Sequence, residues 1–210
     1  MPLLEHLGRT VAEVNEVVPA CLGLSVVRID QTDGCTVAVS DETVAVLEGV
    51  RYLDGGPGVD SASSQQWGVA SLASLEGHWP LYAAAGARTG VRSALTLPVT
   101  ENEVMLGAVR VYAGREGAFA GCADEVARLI EGGEAAELLI DSATTLTTRR
   151  LTERPPLSLR AQGALNRAIG ALTLHLDTDV TTAHERLVDA AQRAGITVDL
   201  LALTVVDLHD

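Results

Sequence analysis

The sequence predicts an α+β protein: an antiparallel sheet with helices on one face, joined by a long helix to a C-terminal bundle of three helices. Three observations carry this. Helical and strand patterns alternate as far as Ala123, and beyond Ala123 the periodicity is helical to the end. Between them, Pro155 in the segment Arg149–Leu157 must end or kink the long helix, because proline lacks an amide proton and pushes the residue before it out of the helical region. The chain therefore divides into residues 1–148 and 149–210.

Each element has its own signal. Leu3, Leu4, Leu7, Val11, Val14, Val17 and Val18 recur at spacings of three and four, an amphipathic helix that Pro19 stops. Leu22–Ile29 is rich in β-branched residues, Asp30–Gly34 is a turn cluster, and Cys35–Ser40 alternates as a partner strand. Val44–Val50 fits a short strand or a helix and is read as a strand. Tyr52–Gly68 is loop-rich, with Gly55, Gly56, Pro57 and Gly58 in a row, and Leu81–Ala87 is a short helix. Val91–Val99 and Val104–Tyr112 form the clearest strand pair, joined by the polar turn Thr100–Glu103. Ala123–Thr148 reads as a long helix, with Gly132 and Gly133 in its middle. Its stripe Leu129, Ala136, Leu139 and Ala143 either covers the sheet or forms a dimer seam.

Three helices follow. Leu165, Ile169, Leu172 and Leu176 mark the first, from about Ser158. Asp177–Val180 is a break. Thr182 with Glu185 three positions on predicts a capping box for the second, whose packing face is Ala183, Leu187, Ala190, Ala191 and Ala194. Gly195 suits its C-terminus. Thr197 caps the third, with Asp199 in the first turn and Leu200, Leu201, Leu203, Val205 and Val206 on its apolar face. Three helices this short make a small core, so the unit is expected to lean on the long helix or on a partner chain.

Composition limits the function. The 210 residues are 47% hydrophobic, enough for a packed core. No apolar run reaches the ~18 residues of a membrane span. Glu5 and His6 stand where a signal peptide needs a long apolar stretch, and three cysteines without metal spacing suit a reducing compartment; a cytoplasmic chain without membrane contact is expected. All 15 basic residues are arginine, and the net charge is -13. Residues 1–148 hold 8 Arg against 20 acids, whereas residues 149–210 hold 7 against 8. That asymmetry suggests two parts with different partners.

Two blocks resemble known families. His78-Trp79-Pro80-Leu81-Tyr82, Gly90-Val91-Arg92-Ser93 and Leu97-Pro98, followed by Gly107-Ala108, Tyr112 and Ala118-Phe119, resemble the GAF domain of actinobacterial regulators. Leu165-Asn166-Arg167-Ala168-Ile169-Gly170-Ala171-Leu172, with Ala183, Leu187, Ala191 and the ending Ala202–Val206, resemble an ANTAR domain. The resemblance covers most of the chain. It implies a sensory or dimerising GAF domain, open to a small ligand or a signalling protein, ahead of an ANTAR domain that binds paired RNA hairpins and prevents transcription termination. The implied assembly is a homodimer. Ile169 stands where the ANTAR pattern has Lys, Val188 and Asp189 follow Leu187 where Arg is frequent, and Gly58 replaces a GAF cysteine.

RNA loops are read at exposed base edges while phosphate contacts supply affinity, and the planar arginine fork suits both. Arg160 and Arg167 are seven apart on the first helix of the bundle, as are Gly163 and Gly170; Arg186 and Arg193 are seven apart on the second. Arg160, Arg167, Ala168, Gly170, Arg186 and Arg193 are the expected RNA-binding set. The glycines either admit an RNA backbone or serve as helix–helix contacts. Residues 149–210 contain no Phe, Tyr or Trp, so aromatic stacking platforms are absent there. In the first part, Trp79, Tyr82 and Arg92 are candidate pocket residues, although residues such as Trp79 and Tyr82 more often belong to a core. No G-x-S-x-G elbow occurs, Asp54–Gly58 lacks the Lys-Ser/Thr of a phosphate loop, and no His or Cys shows ligand spacing. No catalytic residue, metal site or cofactor is expected. The reading of function is an RNA-binding antitermination regulator with an N-terminal sensory domain. The alternative is a sensory or scaffolding dimer whose last domain has lost RNA binding and serves protein contacts.

Overall fold

The computed structural model describes residues 2–30, 33–56, 68–102, 104–131, 139 and 159–209. Among them are five strands and seven α-helices. In chain order these are α1 (Pro2–Val17), β1 (Cys21–Asp30), β2 (Asp33–Val39), α2 (Glu42–Asp54), β3 (Gly68–Ser71), α3 (Pro80–Thr89), β4 (Ser93–Glu101), β5 (Val104–Ala113), α4 (Ala123–Glu131), α5 (Leu159–His175), α6 (Val180–Ala194) and α7 (Val198–His209). A 3-10 turn, Leu72–Leu75, follows β3. The protein is α+β, and its sheet is antiparallel in the order β2-β1-β5-β4-β3.

The sheet is covered on both faces, not on one as the sequence predicts. Strand alternation sends Leu24, Val26, Leu95, Leu97, Val109 and Val111 to one side, where α1 and α4 supply Leu7, Val14, Val126 and Ile130. Tyr112 and Ala94 face the other side and meet Val44, Leu47 and Val50 of α2 and Tyr82 and Ala85 of α3. Both faces of a five-stranded sheet then lie in apolar surroundings, the three-layer solution. Leu139 is buried against the α1/α4 face, and its carbonyl accepts from Arg28 at 3.5 Å, so this member of the predicted stripe covers its own sheet. Ala136, Ala143 and the boundary at 148/149 lie outside the described residues, as does the Gly58 end of the glycine-rich loop.

The segment expected as a strand, Val44–Val50, is helical. Asp41 caps it: its Oδ1 accepts from the amides of Thr43 at 2.8 Å and Val44 at 3.1 Å. Val44 and Val50 are buried between the sheet and the last three helices, and tertiary packing overrides their β preference. The helix runs to Asp54, so Tyr52, Leu53 and Asp54 belong to it and not to the loop. Strand β3, at the sheet edge, carries no alternating signal and is missing from the sequence reading.

Helices α5, α6 and α7 form the expected set of three. Asp179, not Thr182, caps α6, through the amides of Thr181 and Thr182; the helix therefore starts at Val180. Gly195 ends it in the left-handed conformation and the Thr197 hydroxyl accepts from Leu200 N, both as predicted. The buried faces Ala168/Leu172, Ala183/Leu187/Ala190/Ala191 and Leu201/Ala202/Val205 join one apolar cluster with α2 and α3. The support for this small bundle is thus the sheet half of the chain. Gly49 marks the contact: a Cβ there would lie 3.0 Å from Ile196 Cδ1 and 3.1 Å from Leu201 Cδ1.

Candidate functional site

The strongest concentration of polar chemistry lies between the sheet and α2. Glu48 and Arg51, three apart on α2, point to one side of the helix. Arg110 and Tyr112, two apart on β5, point to one side of the sheet, and Ser25 is the register partner of Arg110 on β1. These five side chains meet around the Glu48 carboxylate. Its Oε1 accepts from Ser25 Oγ at 2.6 Å, Tyr112 OH at 2.6 Å and Arg110 at 3.2 Å. Its Oε2 accepts from Arg51 Nε at 2.8 Å and Arg110 at 3.1 Å. Glu48, Arg51 and Arg110 are all buried. Burial alone would raise the Glu48 pKa; the two guanidiniums, with Ser25 and Tyr112, overcome this and hold the carboxyl far below its ordinary range. Such a cluster persists only when every partner is in place, because a buried charge left alone costs about 3–5 kcal/mol.

Arg110 Nε is buried and makes no hydrogen bond among the described residues, while the Tyr82 hydroxyl lies close enough to Tyr112 for a side-chain hydrogen bond that works against the effect of burial on its phenol. A buried donor without an acceptor costs about 1–3 kcal/mol. Tyr82 comes from the first turn of α3, where Pro80 occupies N1 and the Asp54 carboxylate accepts from Tyr82 N at 3.0 Å. Burial pushes the Tyr82 phenol up to about 12, and burial also raises the Tyr112 phenol well above its ordinary value. Both remain protonated donors at neutral pH. Gly55, at φ +95°, lets the chain turn beneath Trp79: a Cβ there would lie 2.5 Å from Trp79 Nε1.

The centre is connected to the last three helices. The Tyr52 ring carries the Arg51 guanidinium 4.2 Å from its centroid and the Arg193 guanidinium at 4.3 Å. Tyr52 OH and Thr36 Oγ1 lie 3.0 Å apart. Arg193 Nε donates to Gly34 O on β2 at 2.7 Å, and its other end pairs with Asp189 at 3.5 Å. At the far end of α2, Asp54 Oδ1 lies 2.7 Å from His175 Nε2 on α5. Arg88 on α3 hydrogen-bonds the carbonyl of Asp207 on α7.

The predicted RNA set is divided by this arrangement. Arg167 and Arg186 are exposed, and Gly170 and Gly163 are exposed with nothing near their Cβ positions. The glycines are therefore not helix–helix contacts among the described residues. Ala168 is fully buried and is a core residue, too deep to touch a ligand. Arg193 is held against the sheet half and is not part of an open arginine face. Arg160 lies in the first turn of α5, its side chain outside the described residues. Of the pocket candidates, Tyr82 is at the buried centre, Trp79 is half-buried beside Gly55, and Arg92 is exposed and takes no part. Sequence reasoning missed Glu48, Arg51 and Arg110. Their signal was present: charged residues inside apolar runs, Glu48 within Val44–Val50 and Arg110 between Val109 and Val111.

No protein-family model matches the chain, and no curated protein matches it in sequence. Among solved structures, a domain of a two-component sensor histidine kinase protein from Sinorhizobium meliloti 1021 is 15% identical, with a TM-score of 0.44, over 65% of this chain and 87% of that one. SdiA in complex with octanoyl-rac-glycerol is 13% identical, with a TM-score of 0.47, over 97% of this chain and 87% of that one. Likenesses this loose assign no role to any residue. Among the described residues no helix is long and apolar enough to cross a membrane, and no three His, Cys, Asp or Glu side chains gather as a metal site.

Proposed function

We propose that this chain is a signal-responsive regulator: the sheet half receives a signal at the buried ionic centre, and the three C-terminal helices deliver it to RNA. The observation that carries the coupling is the position of α2. One side of this helix presents Glu48 and Arg51 to the ionic centre, and Gly49 and Asp54 of the same helix touch α6, α7 and α5. The path Glu48–Arg51–Tyr52–Arg193 is continuous from the centre to α6. A change at the centre that moves α2 must therefore move or release the helices packed on it.

The RNA end of the proposal rests on the resemblance of Leu165–Leu172 to the ANTAR pattern and on the exposure of Arg167, Gly170 and Arg186. These residues offer two guanidiniums and a place of close backbone approach. Binding is tested with a labelled RNA carrying two adjacent hexanucleotide-loop hairpins, over a salt series, beside a loop-scrambled control. Loop-dependent binding that weakens with salt is expected. The folded double variant Arg167→Glu/Arg186→Glu should lose it; unchanged affinity would remove the RNA assignment.

A second reading has its own observation. Arg193 is committed to Gly34 and Tyr52, and Asp189 beside it repels phosphate. On that reading the last helices serve protein contacts, and the chain is a sensory scaffold, acting as a homodimer. Absence of RNA binding at low salt, with a dimer in solution, would favour it.

A further inference from the structure

Helix α5 has an outer face that the fold leaves uncovered. Ala168 and Leu172 turn inward to the core shared with α2 and α3. Gly163, Arg167, Gly170 and Leu174, spaced four, three and four, form one narrow stripe on the outer side, and all four are exposed. Leu174 is 86% exposed, more than any other large hydrophobic among the described residues. Glycine is the poorest helix former after proline, and a Cβ at Gly163 or Gly170 would meet nothing within 4 Å. Packing within one chain therefore explains neither glycine. The four-three-four spacing is that of a coiled-coil seam.

We propose that α5 pairs antiparallel with α5 of a second copy of this chain along this stripe. A two-fold pair sets residue i against j and j against i. With the axis crossing between Arg167 and Gly170, Leu174 of each copy lies over Gly163 of the other, and Arg167 over Gly170. Each long side chain then meets a glycine, and alternation of large and small across a seam fills it without voids. The Arg167 stem packs there while its guanidinium reaches water at the rim. A parallel pair fails: it sets glycine against glycine, leaving gaps, and Arg167 against Arg167, with like charges opposed. The antiparallel register also brings the Arg160 end of one helix to the Asp177 end of the other, opposite in charge. An RNA backbone would use Arg167 and the glycines but gains nothing from Leu174, which a second copy covers. The seam does not depend on the RNA reading. It shares Arg167 and Gly170 with that reading, so pairing and RNA exclude each other on α5.

The full chain is measured by sedimentation equilibrium over a concentration series. One helix against its copy is a small seam, so a dissociation constant on the order of 10–100 µM is expected. Gly170→Leu enters open space in the single chain and favours the helix, so the thermal midpoint should be unchanged or higher. The same variant blocks the close approach of the two helices and should weaken pairing by about tenfold or more. Register is read by oxidative cross-linking above the wild-type background. A mixture of Gly163→Cys and Leu174→Cys chains should link, and neither variant should link to itself. A chain still monomeric at millimolar concentration, pairing that Gly170→Leu leaves unchanged, or Leu174→Cys chains that link to one another would overturn the proposal. RNA is titrated into the same samples. RNA binding by a chain that never pairs removes this seam and leaves the regulator; pairing without RNA binding does the reverse.

Discussion

Glu48 carries a full charge where no water reaches it, and four side chains hold it there. Glu48→Ala should destabilise the fold by about 3–5 kcal/mol in urea unfolding, since two guanidiniums would lose their counter-charge. The pH dependence follows from the direction of the shift. The folded carboxyl lies well below its ordinary value of 4.5, so its stabilising effect is complete above pH 4.5 and fades as the pH falls toward the folded value. Thermal midpoints should drop steadily below pH 4.5, and a folded Glu48→Gln variant should show a flatter acid limb. Tyr82 works in the opposite sense: its stabilising effect is complete below its ordinary value of 10.0 and is lost as the pH rises through about 12. At this scale the sequence is least legible. Tyr82 and Trp79 were visible as candidates because aromatics are rare here, but Arg92 and Arg110 look alike in a sequence. Arg92 stands just before β4 and is exposed, whereas Arg110 lies within β5 on the side that α2 covers and is buried.

Helix α2 is the element on which the sequence misleads. Its apolar run has no helical period because the sheet covers one side and the last helices the other, and a helix buried nearly all round loses its amphipathic stripe. The informative residue is the cap. Asp41 followed by Glu42 is a helix start, and it outweighs the valines. Asp41→Ala should cost about 1 kcal/mol, a fall of roughly 2–4 °C in the thermal midpoint. Helices α1 and α6, each with a solvated face, emerge within a few residues of their predicted limits, and so does the β4–β5 pair, which its two apolar runs and the polar turn between them mark. Gly49→Leu should wedge Ile196 and Leu201 away from α2 at a cost of about 1–3 kcal/mol, read as faster amide exchange in α6 and α7.

At the scale of the molecule, composition directs attention to an arginine-rich end, but charge counts say nothing about where each arginine points. Arg193 is turned inward to Tyr52 and Gly34, while Arg167 and Arg186 face outward. Arg193→Ala removes a cation–π contact and a hydrogen bond, so α6 should exchange its amides faster while α1 and α4, on the opposite face of the sheet, keep theirs. Protection lost equally everywhere would mean that the halves unfold as one unit and that α2 cannot relay a signal between them.

The single apolar cluster shared by α2, α3 and the last three helices has a consequence for anyone dividing this chain. Residues 159–210 supplied alone would leave Leu172, Leu187 and Leu201 without a cover, and residues 1–139 alone would bare the outer side of α2. Each piece should be sticky by itself and soluble with the other. Produced as two polypeptides and mixed, they should reassemble without a covalent link, a split-protein pair whose recognition surface is the core itself.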